Sequence, residues 1–160
     1  MSQAAPRIVD LADRPDLLDV VARWVHDEWG AQRGRTYSTT RSRFIEPSGR
    51  TGLPVSRVAL IGGRPAGLAS LRERDSIDYL PGATPWVCNV YVASAFRGSG
   101  IASALCRSLE SAACGLGLNR LFLATSLHEG SLYHKLGYRL VSRCEEAGEP
   151  VHVLRKDLSA

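Results

Sequence analysis

Between Val90 and Leu105 the chain reads VYVASAFRGSGIASAL, and its hydrophobic period changes inside that stretch. WVCNVYV, from Trp86 to Val92, is dense in β-branched and aromatic residues and predicts a sheet strand. From Gly100 onward Ile101, Leu105, Leu109, Ala112 and Leu116 recur at helical spacing, and Gly117 supplies a stop. The loop between the two carries two glycines around a serine. A helix N-terminus presents unpaired N–H groups and the positive end of a dipole, which together favour an anion. Gly98 and Gly100 remove side chains that would hold an anion away from the backbone, and they allow positive φ. Arg97 adds a charge at the rim. The expectation is a site for phosphate, diphosphate above all.

The flanking elements predict one α/β domain over residues 1–160, with a mixed sheet and helices on both faces. RIVDLA alternates like a short strand. DLLDVVARWVHDEW follows, with Leu17, Leu18, Val21, Trp24 and Val25 on one helical face, Pro15 and Asp16 at its start and Gly30 at its end. Residues 34–54 are poor in apolar side chains and read either as loop or as a short helix near Thr40–Glu46. VSRVALIGGRPAGLASLRER is a hairpin turning at Gly62-Gly63. After the central strand and helix come a strand RLFLAT, a short helix in GSLYHKLGY, and two final strands, YRLVSR and PVHVLRKDL.

At 160 residues, 44% of them hydrophobic and 22% charged, the chain has the make-up of a globular domain with one sizeable core. No apolar run approaches the roughly 20 residues of a membrane helix, and MSQAAPRIVDLADRPD has no apolar segment to act as a secretory signal. A cytoplasmic address without membrane partners is the expectation. Cys88, Cys106, Cys114 and Cys144 form no C-x-x-C pair and read as reduced, small core residues, with no metal site among them. The net charge of +4 includes Arg33, Arg35, Arg41, Arg43, Arg50 and Arg57 against the single acid Glu46 in that interval. These arginines read either as a solvated surface or as an electropositive rim that attracts a phosphorylated or acidic ligand. No basic helix with interleaved aromatics accompanies them, so nucleic acid is disfavoured.

Which phosphate ligand fits can be narrowed. A phosphate-binding P-loop needs a lysine after its last glycine, and a dinucleotide fingerprint needs G-x-G-x-x-G; both patterns are absent. Arg97 to Ala102 instead matches R-x-x-G-x-A, which resembles the Q/R-x-x-G-x-G/A signature of the GNAT superfamily of N-acetyltransferases. The strand closing on Val90-Tyr91-Val92 before R-G-x-G-I-A, and LYHKLGY from Leu132 to Tyr138, resemble that family's central strand and last helix. The likeness covers residues 55–143 well and the whole chain in element order. A finer resemblance is to a bacterial subgroup with an H-x-E-W-G stretch, here His26 to Gly30.

The resemblance implies a GNAT-like, mostly antiparallel sheet of six to seven strands and acetyl-CoA as cosubstrate. It implies that backbone groups of Val90, Tyr91 and Val92 pair with the pantetheine arm as if it were an added strand. It implies that Arg97, Gly98, Ser99, Gly100, Ile101 and Ala102 hold the pyrophosphate, and that Tyr133 protonates the departing thiolate. The implied reaction is N-acetyl transfer to a primary amine, small-molecule or peptide, by direct attack in a ternary complex, with the oxyanion stabilised by a strand N–H near Val90–Val92. A homodimer is common among relatives; the sequence leaves oligomeric state open.

The general base stays open at this level. An alkylammonium of pKa near 10.4 must lose a proton before attack, and WVCNVYV contains no carboxylate. Asn89 can orient a water and nothing more. The candidates are Glu73, Asp75 and Asp78 before the strand, His26 and Glu28 in the first helical region, and a water chain. Ser126 and Glu129 stand where the family usually has a cofactor-binding asparagine and a small residue, and His128 reads as an exposed loop histidine. The alternative from another class is a non-catalytic acyl-CoA-binding sensor.

Overall fold

The computed structural model describes residues 4–126 and 131–159. Seven strands form one sheet: β1 (Arg7–Asp10), β2 (Val55–Ile61), β3 (Arg64–Arg72), β4 (Trp86–Val92), β5 (Arg120–Thr125), β6 (Arg139–Glu146) and β7 (Glu149–Asp157). Their spatial order is β1-β2-β3-β4-β5-β7-β6, and every neighbouring pair is antiparallel except β4 with β5. The helices are α1 (Leu18–Val25), α2 (Tyr37–Ser42), α3 (Ile101–Gly115) and α4 (Leu132–Lys135). None of the described helices is long and apolar enough to cross a membrane.

Alternation along the strands builds a core on each face. In β2, Val58 and Leu60 face Leu17, Val21 and Val25 of the α1 region, while Ala59 faces the other way. The opposite face carries α3 through Ile101, Leu105 and Leu109, and α4 through Tyr133 and the following Leu136, over Leu71, Val87, Leu121, Leu123 and Leu154. A third cluster, Trp86, Cys88, Phe122 and Val153, is covered by Tyr79 and Leu80 from the loop between β3 and β4. Gly67 sets how closely α3 can lie on β3. A Cβ there would meet the Tyr91 carbonyl oxygen at 2.9 Å, Ile101 Cγ2 at 3.0 Å and Leu105 Cδ1 at 3.2 Å.

Several details depart from the sequence expectations. The first helix does not end at Gly30; it passes through a wider π-type turn, His26–Gly30, and hydrogen-bonded turns continue to Gly34. The short helix of the arginine-rich segment starts earlier than expected, because Thr36 caps it by accepting a hydrogen bond from the Thr39 amide (3.1 Å). Gly30 leaves room for that helix: a Cβ would lie 2.8 Å from Thr40 Oγ1 and 2.9 Å from His26 Nδ1. On α3 the last core position is Ala113 rather than Ala112, and Leu116 is 41% exposed after the helix has ended. Cys88 and Cys106 are core residues as expected, but Cys144 is only partly buried and Cys114 is exposed. Eight residues separate Cys106 from Cys114, about 80° beyond two full helical turns, which carries the second thiol off the buried face.

Three of the six arginines in the 33–57 stretch pair with acids remote in sequence. Arg41 pairs with Asp19 (2.7 Å), Arg57 with Asp10 (3.0 Å), and Arg33 with Glu146 (2.8 Å). At these three positions the guanidinium groups tie elements together rather than standing open at a rim.

The close seat of α3 predicts that Gly67→Ala destabilises the protein by about 1–3 kcal/mol through overpacking. Leu105→Ala, at a fully buried position, lowers stability by about 2–5 kcal/mol. Urea denaturation midpoints, read with unchanged m-values, check both.

Candidate active site

Strands β4 and β5 touch at a single register pair, Trp86 with Phe122, and the Phe122 amide donates to the Pro85 carbonyl (3.0 Å). Beyond that point they separate. On its other side β4 remains paired with β3 as far as Val92 opposite Gly67, so its second edge, from Val87 onward, faces an opening rather than a strand. A cavity of about 640 Å³ occupies the split; Val87 to Val90 line it from β4, Leu123 to Ser126 from the end of β5, and Tyr133 from α4.

The β4 backbone is irregular where the split opens. Ser70 pairs with Cys88 and Leu68 with Tyr91, so three steps along β4 match two along β3, which is a bulge. Asn89 sits in it with φ of 56°. The left-handed region suits asparagine better than most residues, and an asparagine within an otherwise β-branched strand was the available signal for this kink.

A second hollow, about 360 Å³, lies at the mouth of α3 against Val92, Phe96, Gly98, Gly100 and Ile101. Gly98 (φ 80°) and Gly100 (φ 81°) are both left-handed, and a Cβ on either would meet nothing within 4 Å. The backbone conformation is what demands glycine there. Gly100 is the N-cap and offers no side chain to the first-turn amides of the fifteen-residue helix, whose N–H groups therefore lack the usual capping oxygen. Ser99 turns away and donates to the Phe96 carbonyl oxygen. Arg97 donates from Nε to the Val92 carbonyl oxygen (2.9 Å), with its guanidinium 5.8 Å from the Tyr91 ring centre. The arginine thus fixes the end of β4 as well as placing charge beside the loop.

Tyr133 is 8% exposed and packs edge-on against Tyr138 at 6.1 Å. Burial pushes its phenol well above its ordinary value, with the neighbouring Cys106 adding to the rise. Such a phenol stays protonated at neutral pH and is a hydrogen-bond donor there.

The acids sort themselves by place. Glu28 and Asp75 line the cavity of the split. His26 contacts Thr40 Oγ1 at 3.4 Å, Glu73 accepts from Thr51 Oγ1 at 2.6 Å, and neither these two nor Asp78 belongs to the cavity wall. Sequence reading missed Glu146 and Glu149, which join the wall from the β6–β7 hairpin. Glu146 is bound by Arg33 through two contacts, 2.8 and 3.1 Å, and accepts from the Tyr79 hydroxyl at 2.6 Å. Arg33 also donates to Ser76 Oγ (3.1 Å) and to the Tyr79 hydroxyl (3.1 Å), joining three distant segments at one guanidinium. Hydrogen bonding from Arg33 holds the Glu146 carboxyl below its usual range. No sequence signal marks a contact between residues 113 positions apart. Of the six arginines in the 33–57 interval, only Arg33 lines this cavity. Ser126 is on the wall, while His128 and Glu129 lie outside the described residues.

Sequence comparison with curated proteins gives no significant match. Solved structures give many. The chain is similar to a GCN5-related N-acetyltransferase from Kribbella flavida (TM-score 0.76, 23% identity, 96% of this chain and 98% of that one). It is also similar to the aminoglycoside 6'-N-acetyltransferase from Enterococcus faecium (TM-score 0.72, 17% identity, 96% and 98%). An aminoglycoside 6'-N-acetyltransferase complexed with coenzyme A shares the same fold (TM-score 0.73, 16% identity, 96% and 98%). The model of the acetyltransferase (GNAT) family matches residues 18–138, which include the bulged strand, the glycine loop and Tyr133. With its sheet split between β4 and β5 and a glycine loop opening α3, the chain belongs to the GNAT family of acetyltransferases.

Proposed function

We propose that this acetyltransferase takes its acyl group from acetyl-CoA and transfers it to the nitrogen of a primary amine by direct attack. The observation that carries the reading is the continuity of the open β4 edge with the uncapped, glycine-lined start of α3. A linear thioester carrier with a diphosphate needs both: a free strand edge for its amide-bearing arm, and unpaired N–H groups for its phosphates. Val90, Tyr91 and Val92 would pair with the arm through main-chain groups. Because the Val92 carbonyl already accepts from Arg97, Val90 and Tyr91 carry most of that pairing. The main chain from Arg97 to Ala102 would hold the diphosphate. The cofactor supplies the activated acetyl group; the protein supplies alignment, a strand N–H for the carbonyl oxygen, and proton control.

Tyr133 would act at the leaving sulfur. A thiol ionises near 8.5, well below a phenol pushed above 10. Complete proton transfer to the thiolate is therefore uphill, and the favoured role is a hydrogen bond that stabilises the sulfur as its bond to carbon breaks. The acceptor would enter from the side of Glu28, Asp75, Glu146 and Glu149. Four carboxylates against one guanidinium, Arg33, favour a cationic small-molecule amine over an acidic one. Structural neighbours that act on aminoglycosides support a small-molecule acceptor.

Two variants test the assignment. Tyr133→Phe lowers kcat by about 100-fold or more, while coenzyme A affinity by calorimetry stays within about twofold. Gly100→Val, which forces a β-branched residue into left-handed backbone at about 1–2 kcal/mol, weakens coenzyme A binding about tenfold or more. Thiol release from acetyl-CoA with spermidine, kanamycin and a free-amine tripeptide supplies the activity reading. Tight coenzyme A binding with no turnover on any amine would favour the non-catalytic sensor instead.

A further inference from the structure

We infer that Asp75 is the general base, its carboxylate taking the proton from the acceptor's ammonium nitrogen before attack. The inference rests on the acetyltransferase reading above and assigns a role which that reading leaves empty, since β4 carries no acid.

Among the described residues Asp75 alone of the cavity's carboxylates combines place, partial burial and fixation without a direct ion pair. It stands on the loop between β3 and β4 and lines the same cavity as Cys88, Asn89, Val90 and Tyr133. It faces the Cys88 thiol, one residue before the bulge. One oxygen, Oδ1, accepts from the Ser76 amide (2.6 Å) and the Ser76 hydroxyl (3.3 Å), which sets the orientation of the carboxyl plane. Ser76 is itself held by Arg33. Among the described residues Asp75 has no ion pair within 4 Å, because the Arg33 charge is taken up by Glu146.

The other acids fail on one of these counts. Glu146 is committed to Arg33 and Tyr79. Glu28 and Glu149 are exposed. Glu73, Asp78 and His26 do not line the cavity.

The charged and titratable groups around Asp75 are Arg33 after α1, Arg43 after α2, Cys88 on β4, and Tyr79 on its own loop. Burial raises the Asp75 carboxyl above its ordinary value, against the lowering pull of the Ser76 amide, Arg33, the Ser76 hydroxyl and Arg43. A raised pKa brings a carboxylate closer to the strength a base needs near neutral pH.

Asp75 takes one proton from the ammonium nitrogen and releases it to water. The neutral amine forms the C–N bond as the C–S bond breaks. The second nitrogen proton passes through solvent to the thiolate, leaving amide, free thiol and one proton in solution.

The test is a pH–rate profile for acetyl-CoA with whichever of spermidine, kanamycin or the tripeptide is turned over fastest, alongside calorimetry with coenzyme A on the same samples. Wild type is expected to lose kcat/KM as pH falls through the raised Asp75 pKa. Asp75→Asn is expected to fall about 100-fold at pH 7 and to lose the plateau above that pKa, its rate instead rising about tenfold per pH unit with the free amine, while coenzyme A affinity is kept. Asp75→Glu is expected to recover part of the plateau, and Asp78→Asn, on the same loop but off the cavity wall, to keep the wild-type profile. Carbon-13 titration of wild-type carboxyls gives a reading independent of any variant's folding: one aspartate is expected above the ordinary 3.9 and absent in Asp75→Asn or, should that variant not fold, in Asp75→Glu. An unchanged plateau in Asp75→Asn, its loss in Glu28→Gln instead, or an Asp75 titration at or below 3.9 overturns the base while leaving the acetyltransferase reading standing. Wild type that neither binds coenzyme A nor turns over an amine overturns both.

Discussion

The structure depends on a joint one residue pair long. Among the described residues Trp86 and Phe122 are the only register partners between the two halves of the sheet, their rings 5.7 Å apart and both nearly fully buried. Were the strands paired along their length, β4 would present no free edge and the cavity lined by Val87–Val90 and Leu123–Ser126 would be filled with ladder hydrogen bonds. An exposed edge invites pairing with anything extended. Here the bulge at Asn89 and the hollow at the start of α3 turn that tendency toward a ligand that can use both. The aromatic joint keeps the sheet continuous while β4 and β5 are allowed to part.

Much of the donor side was legible in the sequence because it is local. The change of period between Trp86–Val92 and Ile101–Gly115 and the two glycines between them all fall within thirty residues. Backbone conformation there is dictated by residue type: no side chain other than glycine adopts φ near +80° at low cost. The strands and both faces of the core followed from alternation, as in Val58, Ala59 and Leu60. What local pattern could not supply was where a helix runs out of partners. Leu116 continues the spacing of Ile101, Leu105 and Leu109, yet α3 ends at Gly115 and the leucine lies half in solvent. Cys114 departs for a different reason: it lies inside α3 but is turned away from the face that buries Cys106.

The acceptor side was largely illegible because its contacts span the chain. Arg33, Ser76, Tyr79 and Glu146 come from the turn after α1, the β3–β4 loop and β6. Read as a local run, Arg33 to Arg57 is an unbalanced block of positive charge. In three dimensions Asp10, Asp19 and Glu146 answer three of its six charges, and the cavity wall carries four carboxylates beside the one guanidinium of Arg33. Charge-assisted pairs of this kind are directional and geometrically demanding, so they mark where segments must meet, but only once the fold has brought them near. Asn89 lies between the two cases: its residue type hinted at a kink, while the missing rung opposite Ala69 became visible only in the register.

This division has a mechanistic consequence. The donor side is built from the main chain, whose hydrogen-bonding groups survive most substitutions, and from two glycines whose replacement is strained. The acceptor side is built from side chains on a helix turn, a loop and a hairpin, joined by Arg33. One residue therefore governs the shape of that wall, since it orients Glu146 directly and the Asp75 neighbour Ser76 through its other arm. Changing the wall's chemistry while keeping Arg33 in place would alter which amine is accommodated without disturbing the β4 edge or the α3 mouth. On the proposed reading, the fold thus separates what must be constant, a grip on a diphosphate and an extended arm, from what is free to vary, the charge and outline of the cavity beside it.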